Sequence, residues 1–136
     1  MSLIAELFQG DLLTKTDLNA AQGGFNAPGN PQAGTNFSSG VLDKRSYNTT
    51  TVAITTTVGA TPTATVNIQG SLDGVNWFNV PYRTPASDTS ANAALTITTA
   101  TTTVVYIDPK FVRYLRVVVS ANTNVTFTSI LACATF

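Results

Sequence analysis

From Val41 to Cys133, apolar and polar residues alternate in short runs with the two-residue period of a strand that has one buried and one wetted face. Val52, Ile54 and Val58 alternate with Ala53, Thr55 and Thr57, and Ala64, Val66 and Ile68 alternate with Thr65, Asn67 and Gln69. Further runs at 76–80, 95–98, 103–107, 112–120 and 125–133 are separated by Asp73-Gly74, Pro81, Pro85, Asp108-Pro109 and Asn122, all residue types that turn the chain. Two runs are apolar on both sides. Leu115, Val117 and Val119 point one way while Val112, Tyr114 and Val118 point the other, and the far end of 125–133 is similar. Such strands are central, or a partner covers their second face. Seven or eight short strands with polar turns predict an all-β domain over residues 41–136, an antiparallel β-sandwich of jelly-roll type.

Residues 1–40 read differently, as an extended N-terminal arm. Leu3, Ile4, Leu7 and Phe8 recur at helical steps between Ser2, placed to cap a turn, and Gly10, placed to end it. This predicts a short amphipathic helix, too short to persist alone in water. The stretch 20–40 holds five of the nine glycines and two of the six prolines, and reads as a connector. Leu3, Ile4, Leu7 and Phe8 are therefore candidate partner-binding residues, ordered by the surface they dock on.

Composition removes most chemistry. Seven basic and seven acidic residues leave no net charge and only 10% charged residues, so no field steers a polyanion and nucleic acid is not an expected partner. With no histidine, Ser-His-Asp catalysis and the commonest transition-metal ligand are both excluded. Cys133 sits in an apolar stretch, where an inert thiol is expected. Asp73, Asp88 and Asp108 are too scattered for an acid pair or a calcium loop, and read as turn caps. No enzyme, no cofactor and no metal are the expectations. No run approaches the roughly 18 apolar residues of a membrane helix, and the N-terminus lacks the basic start of a secretory signal.

The segment 66–80 combines a strand, a turn and a second strand. Asp73 and Asn76 are placed to bond nearby amides, Gly74 to take a positive φ, and Trp77 to anchor the core as the pleat restarts. Trp77 and its neighbour Phe78 cannot both face inward. In the strand 112–120, Arg113 and Arg116 are expected in structural ion pairs, with Asp73 or Asp108 as partners.

The Ser71-x-Asp73-Gly74-x-x-Trp77 turn, taken with the later Arg113-Tyr114-Leu115-Arg116 strand, resembles a pairing seen in discoidin-like, galactose-binding-type jelly rolls, and also in small tailed-phage virion proteins. The resemblance covers about residues 66–119. Together with the tethered arm and the neutral, threonine-rich β body, it implies a virion structural protein made in the host cytoplasm. Capsid decoration or cement is the favoured role, with the major capsid protein or other virion subunits as partners and a homo-oligomer, preferably a trimer, as the assembly. A carbohydrate-binding or adhesion module is the alternative, with a glycan as ligand.

Overall fold

The structure, a computed structural model, describes residues 14–17, 32–44, 49–91, 93–107 and 112–135. The helix expected around Leu3, Ile4, Leu7 and Phe8 lies outside them. Among the described residues there are ten strands and no helix: β1 (Thr14–Asp17), β2 (Phe37–Ser38), β3 (Leu42–Asp43), β4 (Thr49–Ser71), β5 (Phe78–Asn79), β6 (Tyr82–Thr84), β7 (Ser87–Ala91), β8 (Leu95–Ile97), β9 (Thr102–Ile107) and β10 (Tyr114–Thr135).

Two strands organise everything else. β4 and β10 pair antiparallel from Thr49↔Thr135 to Ser71↔Tyr114. Each absorbs two of the runs expected as separate strands. A straight strand of 23 residues would extend about 75 Å, roughly twice the diameter of a globular domain of this size. The ribbon therefore bends. Single extra residues in β10 at Val119/Ala121 and Phe127/Ser129, four residues of β4 between Val58 and Thr63 opposite the single Asn124, and positive φ at Thr61 (45°) and Asn124 (55°) supply the bend.

The bend makes two layers from one continuous sheet. β9 pairs with the first half of β4, Thr50–Thr55, and β8 pairs with the second half, Ala64–Val66. Only residues 98–101 join β8 to β9, so the two halves of β4 lie against one another. Inward residues of both halves meet in a single core that includes Val52, Ile54, Val66, Ile68, Leu115, Val117, Phe127 and Ile130. The all-β antiparallel sandwich expected from periodicity is the fold observed.

The last bulge explains why the run 125–133 reads as apolar on both sides, whereas Tyr114 and Val118 of the earlier run are half-buried on the outer face of β10. Before the last bulge the buried positions of β10 are odd-numbered, Val125 and Phe127, and after it they are even-numbered, Ile130, Ala132 and Ala134. One inserted residue reverses the parity. Leu131 and Cys133 are left half-buried on the outer face. Val58, expected to face inward, is exposed because β4 has left the core there.

The second edge of β10 is lined by the N-terminal part of the chain. Thr14–Asp17 pair with Ala134–Leu131, Gln32 bridges Phe127, Phe37–Ser38 pair with Val119–Val118, and Leu42–Asp43 pair with Leu115–Tyr114. Residues 32–40, which read in the sequence as connector, include the buried Ser39. Its amide donates to the Val117 carbonyl (2.7 Å), and its hydroxyl accepts from the Val117 amide (2.8 Å). Phe37 meets the buried Phe127 edge-on, with ring centroids 5.4 Å apart. Lys44 is buried, and burial pulls its ammonium below the usual lysine range.

Candidate functional site

The loop between β4 and β5 is the most elaborately bonded surface feature among the described residues. It starts at Ser71, a buried residue ending β4. The Ser71 hydroxyl accepts from the amides of Asp73 (3.3 Å) and Gly74 (2.9 Å) and donates to Asp73 Oδ1 (3.0 Å). Asp73 Oδ1 also accepts from the amides of Val75 and Asn76, both at 2.8 Å, and Oδ2 accepts from Asn76 Nδ2 at 2.8 Å. These donors, the Asn76 amide foremost, hold the Asp73 carboxyl far below the usual carboxylate range.

Gly74 takes φ +78°, as the turn requires, and the position of a Cβ there would be 3.7 Å from the Tyr114 ring. The expected turn roles of Asp73, Gly74 and Asn76 are thus the geometry observed. Ser71 is the part of the motif whose importance its own residue type does not announce.

This bonding carries an apolar rim. Leu72 is 62% exposed, Val75 77% and Phe78 39%. The backbone around Leu72 and Val75 is tied by Ser71 and Asp73, so this stretch of main chain has little conformational entropy left to lose. Their signal in the sequence is the placement of branched apolar residues inside an Asp-Gly turn, where polar residues are the norm.

Trp77 is half-buried and stands outside the core cluster, whose anchor at this end is Val80. The Val80 amide bonds the Ile68 carbonyl at 3.0 Å and its side chain packs at Gly70, so the pleat resumes at Phe78 but the core is re-entered only three residues after Trp77. Trp77 instead packs against Arg116, whose guanidinium carbon is 4.2 Å from the ring centroid. Arg116 Nε donates to Gln69 Oε1 (3.0 Å), and Gln69 Nε2 donates to Asn79 Oδ1 (3.3 Å). Arg116 therefore joins an amide and an aromatic ring, and no carboxylate meets it among the described residues. Partial burial lowers its pKa.

Arg113 does form an ion pair, with Asp43 in place of the expected Asp73 or Asp108. Its Nε and Nη2 bond Oδ1 (3.1 Å) and Oδ2 (3.2 Å) of Asp43, a two-pronged contact that raises the Arg113 pKa and ties β3 to the start of β10. The Arg113 guanidinium also lies 5.1 Å from the centroid of its neighbour Tyr114.

With Asp43 and Asp73 both engaged, this end of the sandwich presents apolar and aromatic contact area, neutral amides and the Arg116 cation. No group of three His, Cys, Asp or Glu residues that could hold a metal occurs among the described residues.

The fold is an all-β sandwich that holds Leu72, Val75 and Phe78 exposed at and beside the hydrogen-bonded β4–β5 loop. No protein-family model matches the chain, and no curated protein matches it by sequence. Among solved structures, the SPBc2 prophage-derived protein YomS is similar, with a TM-score of 0.61 over 90% of this chain and 91% of that one, at 6% identity. At that identity the likeness speaks for the sandwich fold. It does not single out the discoidin-like jelly roll.

Proposed function

We propose that this protein is a structural component of a tailed-phage virion, a decorating or cement protein that binds neighbouring shell subunits through the rim formed by Leu72, Val75 and Phe78. The exposure of Leu72 and Val75 on a loop locked by Ser71 and Asp73, with Phe78 exposed where β5 begins, is the observation that carries the reading. Apolar side chains held out in water at this cost are worth about 1.5–3 kcal/mol each when a partner covers them fully. The sandwich likeness to a prophage-derived protein supports the phage setting, and a neutral threonine-rich surface suits a shell component. The partner in this reading is the major capsid protein or another virion subunit, and the location is the virion.

The test compares the parent with a Leu72→Ser, Val75→Ser variant for binding to expanded phage capsids by co-sedimentation. The parent should bind stoichiometrically, and the variant should melt like the parent yet bind at least tenfold more weakly. Equal binding by both would remove the rim from the interface.

A glycan-binding reading draws on the Trp77 ring set beside the Gln69 and Asn79 amides, an arrangement that stacking on a sugar would use. A glycan array separates the two: sugar affinity lost on Trp77→Ala and kept in the rim variant would favour the glycan.

A further inference from the structure

We infer that the hydrogen bonds of Ser71 and Asn76 protect the Asp73–Gly74 linkage from isomerising to isoaspartate, which makes this linkage a latent modification site of the β4–β5 loop. The inference concerns the covalent chemistry of the loop and does not rest on the shell partner proposed above.

The sequence marks the place. Asp73–Gly74 is the one Asp–Gly pair in the chain, and no Asn–Gly pair occurs. Glycine has no side chain to hinder approach to its amide nitrogen, so this nitrogen is the one best suited to attack the carboxyl group before it. In that reaction the Gly74 nitrogen forms a bond to Asp73 Cγ and gives up its proton, and one carboxyl oxygen leaves with two protons as water. The product is a five-membered succinimide. Water then adds to either ring carbonyl, and opening at the main-chain carbonyl leaves the chain running through Cβ and Cγ as isoaspartate. Nothing is oxidised or reduced, and the mass returns to its starting value.

The structure restrains both reacting groups. The Gly74 amide donates to Ser71 Oγ at 2.9 Å, so the nucleophile is engaged. Asp73 Oδ1 accepts from the Ser71 hydroxyl (3.0 Å) and from the amides of Val75 and Asn76 (both 2.8 Å), and Oδ2 accepts from Asn76 Nδ2 (2.8 Å). These four donors fix the orientation of the carboxyl group toward residues 75 and 76. They also favour the carboxylate, which releases no water until it is protonated, and they keep the neutral acid scarce at neutral pH. Gly74 is backed by the Tyr114 ring, 3.7 Å from where its Cβ would stand, so the turn is packed against β10.

Ser71 acts on both partners at once, accepting from the nucleophile and donating to the carboxylate. It is itself buried at the end of β4, which fixes the hydroxyl in place. Isomerisation would add a carbon to the main chain between residues 73 and 74 and take the carboxylate from the Val75 and Asn76 amides. The hold on the backbone that carries Leu72 and Val75 would go with it.

The test follows isoaspartate at residue 73 over weeks at neutral pH, by peptide mapping and by enzymatic methylation of isoaspartyl groups. The parent, a folded Ser71→Ala variant and a free peptide of residues 66–80 are compared. The parent should isomerise at least tenfold more slowly than the peptide, and Ser71→Ala at least fivefold faster than the parent. Parent held in enough urea to match the stability of the variant should stay slow. A parent as fast as the peptide overturns the inference, and so does a folded Ser71→Ala at the parental rate. Urea-treated parent as fast as the variant also overturns it, because the hydroxyl would then act through stability alone. Should Ser71→Ala not fold, Asn76→Ala takes its place with the same expectations and the same overturning results.

Discussion

The central carbon of the Arg116 guanidinium lies over the Trp77 ring, 4.2 Å from its centroid, while its Nε is held by Gln69. The pair closes one side of the β4–β5 loop without contributing to the core.

Trp77→Ala should therefore cost about 1–2 kcal/mol, well under the roughly 3–5 kcal/mol of a fully buried large aromatic. A double-mutant cycle with Arg116→Ala should give a coupling of about 0.5–1 kcal/mol, the value of a partly exposed cation–π contact. Urea melts of the four proteins measure it. Zero coupling would mean that the stack adds nothing beyond contact area.

Gly70 faces the opposite way, into the core. A Cβ there would come within 2.9 Å of Cγ1 of both Val80 and Val112. These are buried, short and branched side chains that cannot swing aside. Gly70→Ala should lower stability by about 1–3 kcal/mol, and Gly70→Ala with Val112→Ala should recover part of that loss. Chemical denaturation checks both.

The loop acid gives a pH signature. Hydrogen bonds depress the folded-state pKa of Asp73, so its contribution to stability is fully present above the ordinary aspartate value, near ~4. It is lost as the pH falls below that value toward the folded pKa. Asp73→Asn keeps an acceptor at one oxygen and removes the titration. Its melting temperature should lie below the parent's at pH 7, and the gap should narrow between pH 4 and pH 2. A constant gap would show that the Asp73 pKa is close to ordinary.

How far the sequence reaches follows from these residues. Alternation of valine, isoleucine and threonine reads out both halves of β4 correctly, because burial on one face imposes the period directly. It does not reveal that the halves are one strand. Between them, residues 59–62 of β4 stand opposite the single Asn124 of β10, so the chain bends there while the same two strands go on pairing on both sides. The N-terminal strand β1 is invisible for another reason: Thr-Lys-Thr-Asp has no periodic apolar face, and its pairing is backbone to backbone. In the candidate site, Asp73, Gly74 and Asn76 are legible because their roles are local. Trp77 and Arg116 are not, because their partners are 39 residues apart and the core re-entry falls to Val80.

The sharpest stability test lies in two buried threonines on one face of β4. Thr56 Oγ1 donates to the Thr99 carbonyl at 3.0 Å, with the Thr101 carbonyl at 3.4 Å. Thr50 Oγ1, equally shielded from solvent, has no hydrogen-bond partner among the described residues. The two side chains share shape and burial and differ in whether the hydroxyl is satisfied. Replacing threonine with valine exchanges that hydroxyl for a methyl of similar size, so the two substitutions should move stability in opposite directions. Thr50→Val removes a desolvated polar group and should raise stability by about 1 kcal/mol. Thr56→Val removes the tie between β4 and the 98–101 connection that holds the two layers together, and should lower stability by about 0.5–1.5 kcal/mol. Thermal and urea melts of the two single variants and the parent decide the matter. A loss of stability in Thr50→Val as large as that in Thr56→Val would mean that the Thr50 hydroxyl has a partner in solution.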